Sequence, residues 1–221
     1  MITRIYFWQI ERRYLIWAIL RMAVDRRALK ENKSISFWKL LGCGKGETFT
    51  PRDADPQRWG LLIRIEADQV ERFEASKLMK RWASHSTDTF SATLKTISAH
   101  GEWSRKQPFP LEIDGKEWDG EVVAITRARI KPRKNLVFWR SVPPVTAALK
   151  SAPGLMAAIG IGEAPIGLQG TFSIWRDGAA IRDFAYRSQA HRAAIDATAR
   201  EQWYAEELFA RFALVDTNGR L

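Results

Sequence analysis

The chain has 221 residues, with 35 Lys and Arg against 25 Asp and Glu for a formal charge of +10, and 46% of it is apolar. That length and content suit one large domain or two small fused ones and exclude a disordered tail. A single cysteine excludes a disulfide framework and any Cys-built zinc or iron–sulfur site, which fits a reducing compartment.

Taken in chain order, Thr3–Gln9 reads as a strand, Arg12–Arg27 as a helix and Ile35–Leu41 as a strand running into Gly42-Cys43-Gly44-Lys45-Gly46. Trp59, Leu61, Ile63 and Ile65 alternate with Gly60, Leu62, Arg64 and Glu66, the pattern of a strand with two distinct faces. A helix is expected from about Asp68, its N-cap, through Phe73, Leu78 and Trp82, and a further strand from Phe90 to about Trp103. From about Ser104 to Gly120 the chain turns polar and rich in Pro and Gly, which predicts a linker or an extended connection.

The second half repeats the order. Val122–Ile130 is a strand that puts Val123, Ile125, Arg127 and Arg129 on one face, and Lys134–Lys150 is a helix interrupted or kinked at Pro143-Pro144. Leu155–Ile161 and Gly170–Arg176 are strands, Asp177-Gly178 opens a helical region to about Phe209, and Arg211–Asp216 closes as a strand. The halves also match in letters, since Lys39–Gly44 parallels Ala157–Gly162 and Trp59–Asp68 parallels Gln169–Gly178. The expected fold is therefore α+β: two fused ferredoxin-like β-α-β-β-α-β repeats, residues 1–103 and 121–221 around a 104–120 linker, forming a dimeric α+β barrel-like domain. A homodimer stays open, because each sheet needs a cover for its free face.

The +10 charge and ten tryptophans point to a polyanion, either nucleic acid or anionic lipid, or to no more than a basic surface. No zinc-finger spacing, RNA-binding aromatic motif or arginine tract occurs, so nucleic acid is not the expected partner. The longest apolar run, Tyr14–Leu20, is far short of a spanning helix, and the first residues lack the layout of a secretory signal. The expectation is a cytoplasmic protein, soluble or peripheral at the inner face of the membrane. Its first helix, with Tyr14, Leu15, Ile16, Trp17 and Ile19 among Arg12, Arg13, Arg21, Arg26 and Arg27, is either a docking element or a core helix with a basic outer face.

Three histidines limit the chemistry: His85 near a helix end, His100 beside Glu102 on a strand, and His191. On a helix His191 shares a face with Phe184, Ser188, Ala194 and Ile195. From spacing alone it is either a half-buried histidine with an ordinary hydrogen bond or an imidazole able to bind iron, with Ser188 orienting its other nitrogen. Cys43, between two glycines, reads as a buried structural thiol. Gly42–Glu47 has the wrong spacing for a dinucleotide or Walker phosphate loop and reads as turns.

The stretch Phe37-Trp38-Lys39-Leu40-Leu41-Gly42-Cys43-Gly44-Lys45-Gly46-Glu47-Thr48-Phe49 resembles the corresponding stretch of the spheroidene monooxygenase family, the carotenoid 2-ketolases of purple bacteria. So do Ile125-Thr126-Arg127-Ala128 with Pro132-Arg133-Lys134 and Phe138-Trp139, Ile159–Glu163 leading to Thr171–Trp175, and the closing Trp203–Phe212 after His191. The resemblance implies a monooxygenase that converts a methylene of an acyclic carotenoid, or a similar long apolar substrate, to a ketone. It also implies haem b with His191 as iron ligand and Phe184, Ser188, Ile195 and Trp175 around it, an electron donor such as a ferredoxin, and a role for Arg127 that it carries less firmly. A haem-free, non-catalytic polyene- or lipid-binding protein of the same fold is the alternative.

Overall fold

The computed structural model describes residues 1–163, 168–187, 196–198 and 200–221. Eight strands form one closed barrel in the order β1-β3-β2-β6-β7-β5-β8-β4, with β4 returning to β1. The strands are β1 (Ile2–Ile10), β2 (Ile35–Gly44), β3 (Ala54–Ile65), β4 (Ser86–Gly101), β5 (Val122–Ile130), β6 (Leu155–Gly162), β7 (Leu168–Trp175) and β8 (Tyr204–Gly219). The helices α1 (Leu15–Glu31), α2 (Val70–Glu74), α3 (Lys77–Ser84), α4 (Asn135–Lys150) and α5 (Gly178–Arg187) lie between them in sequence.

Each half contributes four strands in the same order, β4-β1-β3-β2 from the first and β8-β5-β7-β6 from the second, as two ferredoxin-like repeats require. The halves meet at two seams, β2 with β6 and β4 with β8, both antiparallel and each joining equivalent strands. At the first seam Gly42 faces Gly162, Cys43 faces Ile161 and Gly44 faces Gly160. The segments that match in sequence are thus the segments that pair. Glycine is needed here for close approach: a Cβ on Gly160 would come within 3.1 Å of the Gly46 backbone nitrogen, and Gly46 itself has φ +67°.

A closed barrel with helices outside buries both faces of its strands. Inside, Ile5, Phe7, Leu62, Phe90, Val123, Ile125, Phe172 and Phe212 interdigitate, with the Phe7 and Phe172 rings edge-on at 5.3 Å. Outside the first repeat, Leu61, Ile63 and Ile65 pack with Trp8 and Trp82, whose rings stack at 4.9 Å. Leu62 and Arg64, assigned by alternation to a second face of β3, are therefore buried as well.

Three local expectations change. The helix from Asp68 divides into α2 and α3, and Ser76 rather than Asp68 caps α3, its hydroxyl accepting from the Met79 N–H. α4 runs through Pro143 and Pro144 unbroken. Both prolines are exposed, so their rings do not have to fit against the barrel. Residues 204–209, expected to be helical, belong to β8, because Leu208, Ala210 and Phe212 alternate into the barrel while the strand pairs with both β4 and β5.

Residues 102–121 cross one end of the barrel. Trp103 and Phe109 enter the interior cluster, Phe109 sitting 5.0 Å from Phe212 and 5.9 Å from Phe37. Arg64 fixes the strap by donating to the Pro108 carbonyl at 2.7 Å and pairing with Glu112 at 3.0 Å, while Glu112 accepts from the Thr96 N–H at 2.9 Å.

Candidate functional site

Two regions gather the chemistry, one on each face of the second repeat's sheet. On the inner face Arg127 follows Val123 and Ile125 toward the strapped end of the barrel, as the strand pattern expects. Its guanidinium pairs with Glu206 of β8 and, at 3.3 Å, with Glu163 just past β6. Glu163 also accepts from the Trp103 indole N–H at 2.5 Å and from Lys39 of β2 at 2.5 Å. The Trp103 ring lies 5.7 Å from the Arg127 guanidinium carbon, which closes the cluster from above. The gap among Leu41, Trp103, Arg127, Ile161, Glu163 and Gln169 is too narrow for a water molecule.

Glu206 ties this network to the strap. The consecutive backbone N–H groups of Ser104 and Arg105 donate to its two oxygens at 3.0 and 2.9 Å. Both residues adopt the left-handed conformation, with φ of 56° and 59°. That costs roughly 1–2 kcal/mol per non-glycine residue, and it aims two successive donors at one carboxylate. Burial alone would push the Glu206 carboxyl up, but these two N–H groups and Arg127 outweigh it and hold the group below the usual range. Outside the cluster, a surface cleft of about 240 Å³ lies between Arg26 of α1, Trp38 and Lys39 of β2, and Ser104 and Lys106 of the strap.

The outer face carries two of the residues expected around a haem, Trp175 and Phe184. Trp175 is fully buried, donates to the Ser173 hydroxyl at 2.9 Å and packs against Phe184 of α5 at 5.4 Å between ring centres. As packed with Ala180 and Ile181, the two rings leave no slot between them. His191, Ser188 and Ile195 lie outside the described residues. The sheet separates Arg127 from Trp175 and Phe184, so the structure does not bring these site residues together.

A second part of the same outer face is less complete. Ala128, Ile130, Trp203, Phe138 and Ala197 form a small apolar cluster there. Gln169, opposite Ala128 in the β5–β7 register, is buried with neither its amide nitrogen nor its amide oxygen partnered. Asn135 Oδ1 and the Trp139 indole nitrogen, on the turns of α4 that flank Phe138, are buried and unpartnered too. Buried polar groups are normally satisfied. Apolar side chains beside a few orphaned donors and acceptors are surroundings that a bound group with polar edges would satisfy.

Sequence reasoning missed Glu163, Glu206 and Trp103 as partners of Arg127, Lys39 as a second partner of Glu163, and Gln169 altogether. Glu163 and Glu206 both stand in the stretches that carry the family resemblance, which was the available signal. Cys43 is a buried thiol inside the barrel, pushed up by desolvation and so inert. His85 caps the end of α3 and stacks on Trp17 at 4.1 Å, and His100 is exposed. Among the described residues no group of His, Cys, Asp and Glu could hold a metal, and no helix is long and apolar enough to cross a membrane.

No family model matches the chain. It is 39% identical over 208 residues to the spheroidene monooxygenase of Rhodobacter capsulatus, covering 93% of this chain and 86% of that protein. It is 30% identical over 208 residues to the spheroidene monooxygenase of Cereibacter sphaeroides, covering 93% and 64%. Among solved structures, an aldoxime dehydratase in complex with butyraldoxime aligns with a TM-score of 0.59 over 97% of this chain and 79% of its own, at 8% identity, a likeness of fold alone. The chain belongs to the spheroidene monooxygenase family and is a monooxygenase.

Proposed function

We propose that the protein oxidises a methylene of an acyclic carotenoid to a ketone, using haem b held on the helical side of the second repeat by His191. The observation that carries this reading is similarity along nearly the whole chain to enzymes named for spheroidene. Support for the cofactor's location comes from the buried, unpartnered polar groups of Gln169, Asn135 and Trp139 beside an apolar cluster.

A C–H bond of a polyene has no acidic proton, so side-chain acids and bases cannot open it. Haem, when bound, supplies the activation of dioxygen that this requires. Each round consumes one dioxygen, two electrons from a donor such as a ferredoxin and two protons from solvent, places one oxygen atom on carbon and releases the other as water. A second round at the same carbon gives a geminal diol, which loses water to leave the ketone. In this scheme His191 holds the iron and Ser188 orients the imidazole. Phe138, Trp203, Trp175 and Phe184 exclude water, and the Gln169 amide offers a donor nitrogen and an acceptor oxygen to a polar group held beside it.

Haemin added to the purified protein is expected to produce a Soret band that His191→Ala lacks. Gln169→Leu should leave the haem-free protein as stable as wild type, or up to about 1 kcal/mol more stable, because it removes an unsatisfied buried amide. The same variant should retain haemin less well. A protein that stays colourless with haemin would contradict the cofactor assignment, and Gln169→Leu that unfolds easily would contradict the unfilled role of the amide.

A further inference from the structure

The first helix of each repeat carries an outward face that none of the described residues covers. On α1, Ile16, Ile19, Leu20 and Val24 are 75%, 58%, 59% and 57% exposed, while Ala18, Asp25 and Leu29 point into the fold. Their spacing puts all four on one crest about two turns long, where a surface helix normally carries charge. Arg12 and Arg13 precede this crest, and Arg26, Arg27 and Lys30 follow it. On α4, Leu136 and Val137 are 66% and 40% exposed beside exposed Pro143 and Pro144. Lys131 through Lys150 holds five cations, Lys131, Arg133, Lys134, Arg140 and Lys150, and no acid. Arg26, Arg133 and Arg140 enter no ion pair among the described residues.

The two helices are neighbours on the barrel wall. α1 packs over β2 and α4 over β6, and β2 pairs with β6 at the seam between repeats. Two apolar crests, both bracketed by cations, therefore flank one seam. A second copy of the chain pressed against this face would bring like charges together. A bilayer with anionic headgroups complements both features, taking the crests at the acyl boundary and the cations at the phosphates.

We infer that α1 and α4 together seat the protein in the plane of an anionic membrane. This stands on the two helices and does not depend on which substrate the enzyme takes. The test is flotation with phosphatidylcholine vesicles and with mixed phosphatidylcholine–phosphatidylglycerol vesicles, at low and near-physiological salt. Wild type should float with the phosphatidylglycerol vesicles, and less so as salt rises. Ile16→Glu with Leu20→Glu, and separately Leu136→Glu, should each weaken binding by roughly tenfold or more, with unchanged circular dichroism because all three positions are exposed. Arg133→Gln with Arg140→Gln should weaken binding and flatten its salt dependence. Wild type that ignores phosphatidylglycerol vesicles at low salt, or Glu variants that bind as well as wild type, would overturn the inference. So would a wild-type dimer that the same Glu substitutions dissociate, since a second copy would then own the face.

Discussion

Arg127→Met should lower the free energy of unfolding by about 3–5 kcal/mol, the cost of stranding a buried charge. The Arg127 side chain is only 4% exposed and that of Glu206 only 8%. Methionine fills the space but leaves Glu206 and Glu163 with less positive charge, and half-buried Arg129, 3.5 Å from Glu206, compensates only in part. The pH dependence gives a second reading of the same network. The Glu206 carboxyl lies below its ordinary value, so its stabilising contribution is complete above the unfolded carboxylate range near 4.3 and is lost as pH falls through the lowered folded value. Without Arg127 that acid-sensitive contribution should shrink to the part due to the Ser104 and Arg105 N–H groups and to Arg129. Denaturant titrations across acidic pH check both statements. A variant as stable as wild type but inactive would instead make Arg127 a catalytic residue.

Phe109→Ala should cost about 3–5 kcal/mol, here through an unfilled cavity rather than an unpaired charge. The ring is 4% exposed and meets Phe37 and Phe212 edge-on inside the barrel. Its loss should be insensitive to pH, in contrast to that of Arg127. It should also speed proteolysis within 102–121, because the ring is one of that segment's anchors, alongside Trp103 and the bonds to Arg64 and Glu206. A cost well under 1 kcal/mol would place Phe109 outside the barrel core.

The repeated strand–helix order was legible because each element carries its own period, but the matching Gly-Cys-Gly and Gly-Ile-Gly segments, read as turns, are strand ends that pair with each other at the seam. Alternation also placed Arg127 and Arg129 on the Ile125 face. What Arg127 meets there was not legible. Glu206 is 79 positions away, and only the pairing of β5 with β8 brings it near. β3 was half readable, since alternation separates Leu61 from Leu62 but cannot tell that both sides of a helix-wrapped barrel are buried. Residues 204–209 misled for a related reason: Tyr204-Ala205-Glu206-Glu207-Leu208-Phe209 is rich in helix formers, and only its place between two strands makes it β8. Phe109 was hidden between two prolines, where composition suggests a connection rather than a plug. The family resemblance supplied His191, which no spacing argument could separate from an ordinary histidine.

The most direct measurement is oxygen transfer itself. An acyclic carotenoid in phosphatidylglycerol-containing vesicles, incubated with haemin-loaded protein, a ferredoxin-type reductant and isotopically heavy dioxygen, should yield a ketone whose oxygen carries the label. His191→Ala should yield none. Unchanged carotenoid with the loaded wild-type protein, or a ketone whose oxygen comes from water, would contradict the account.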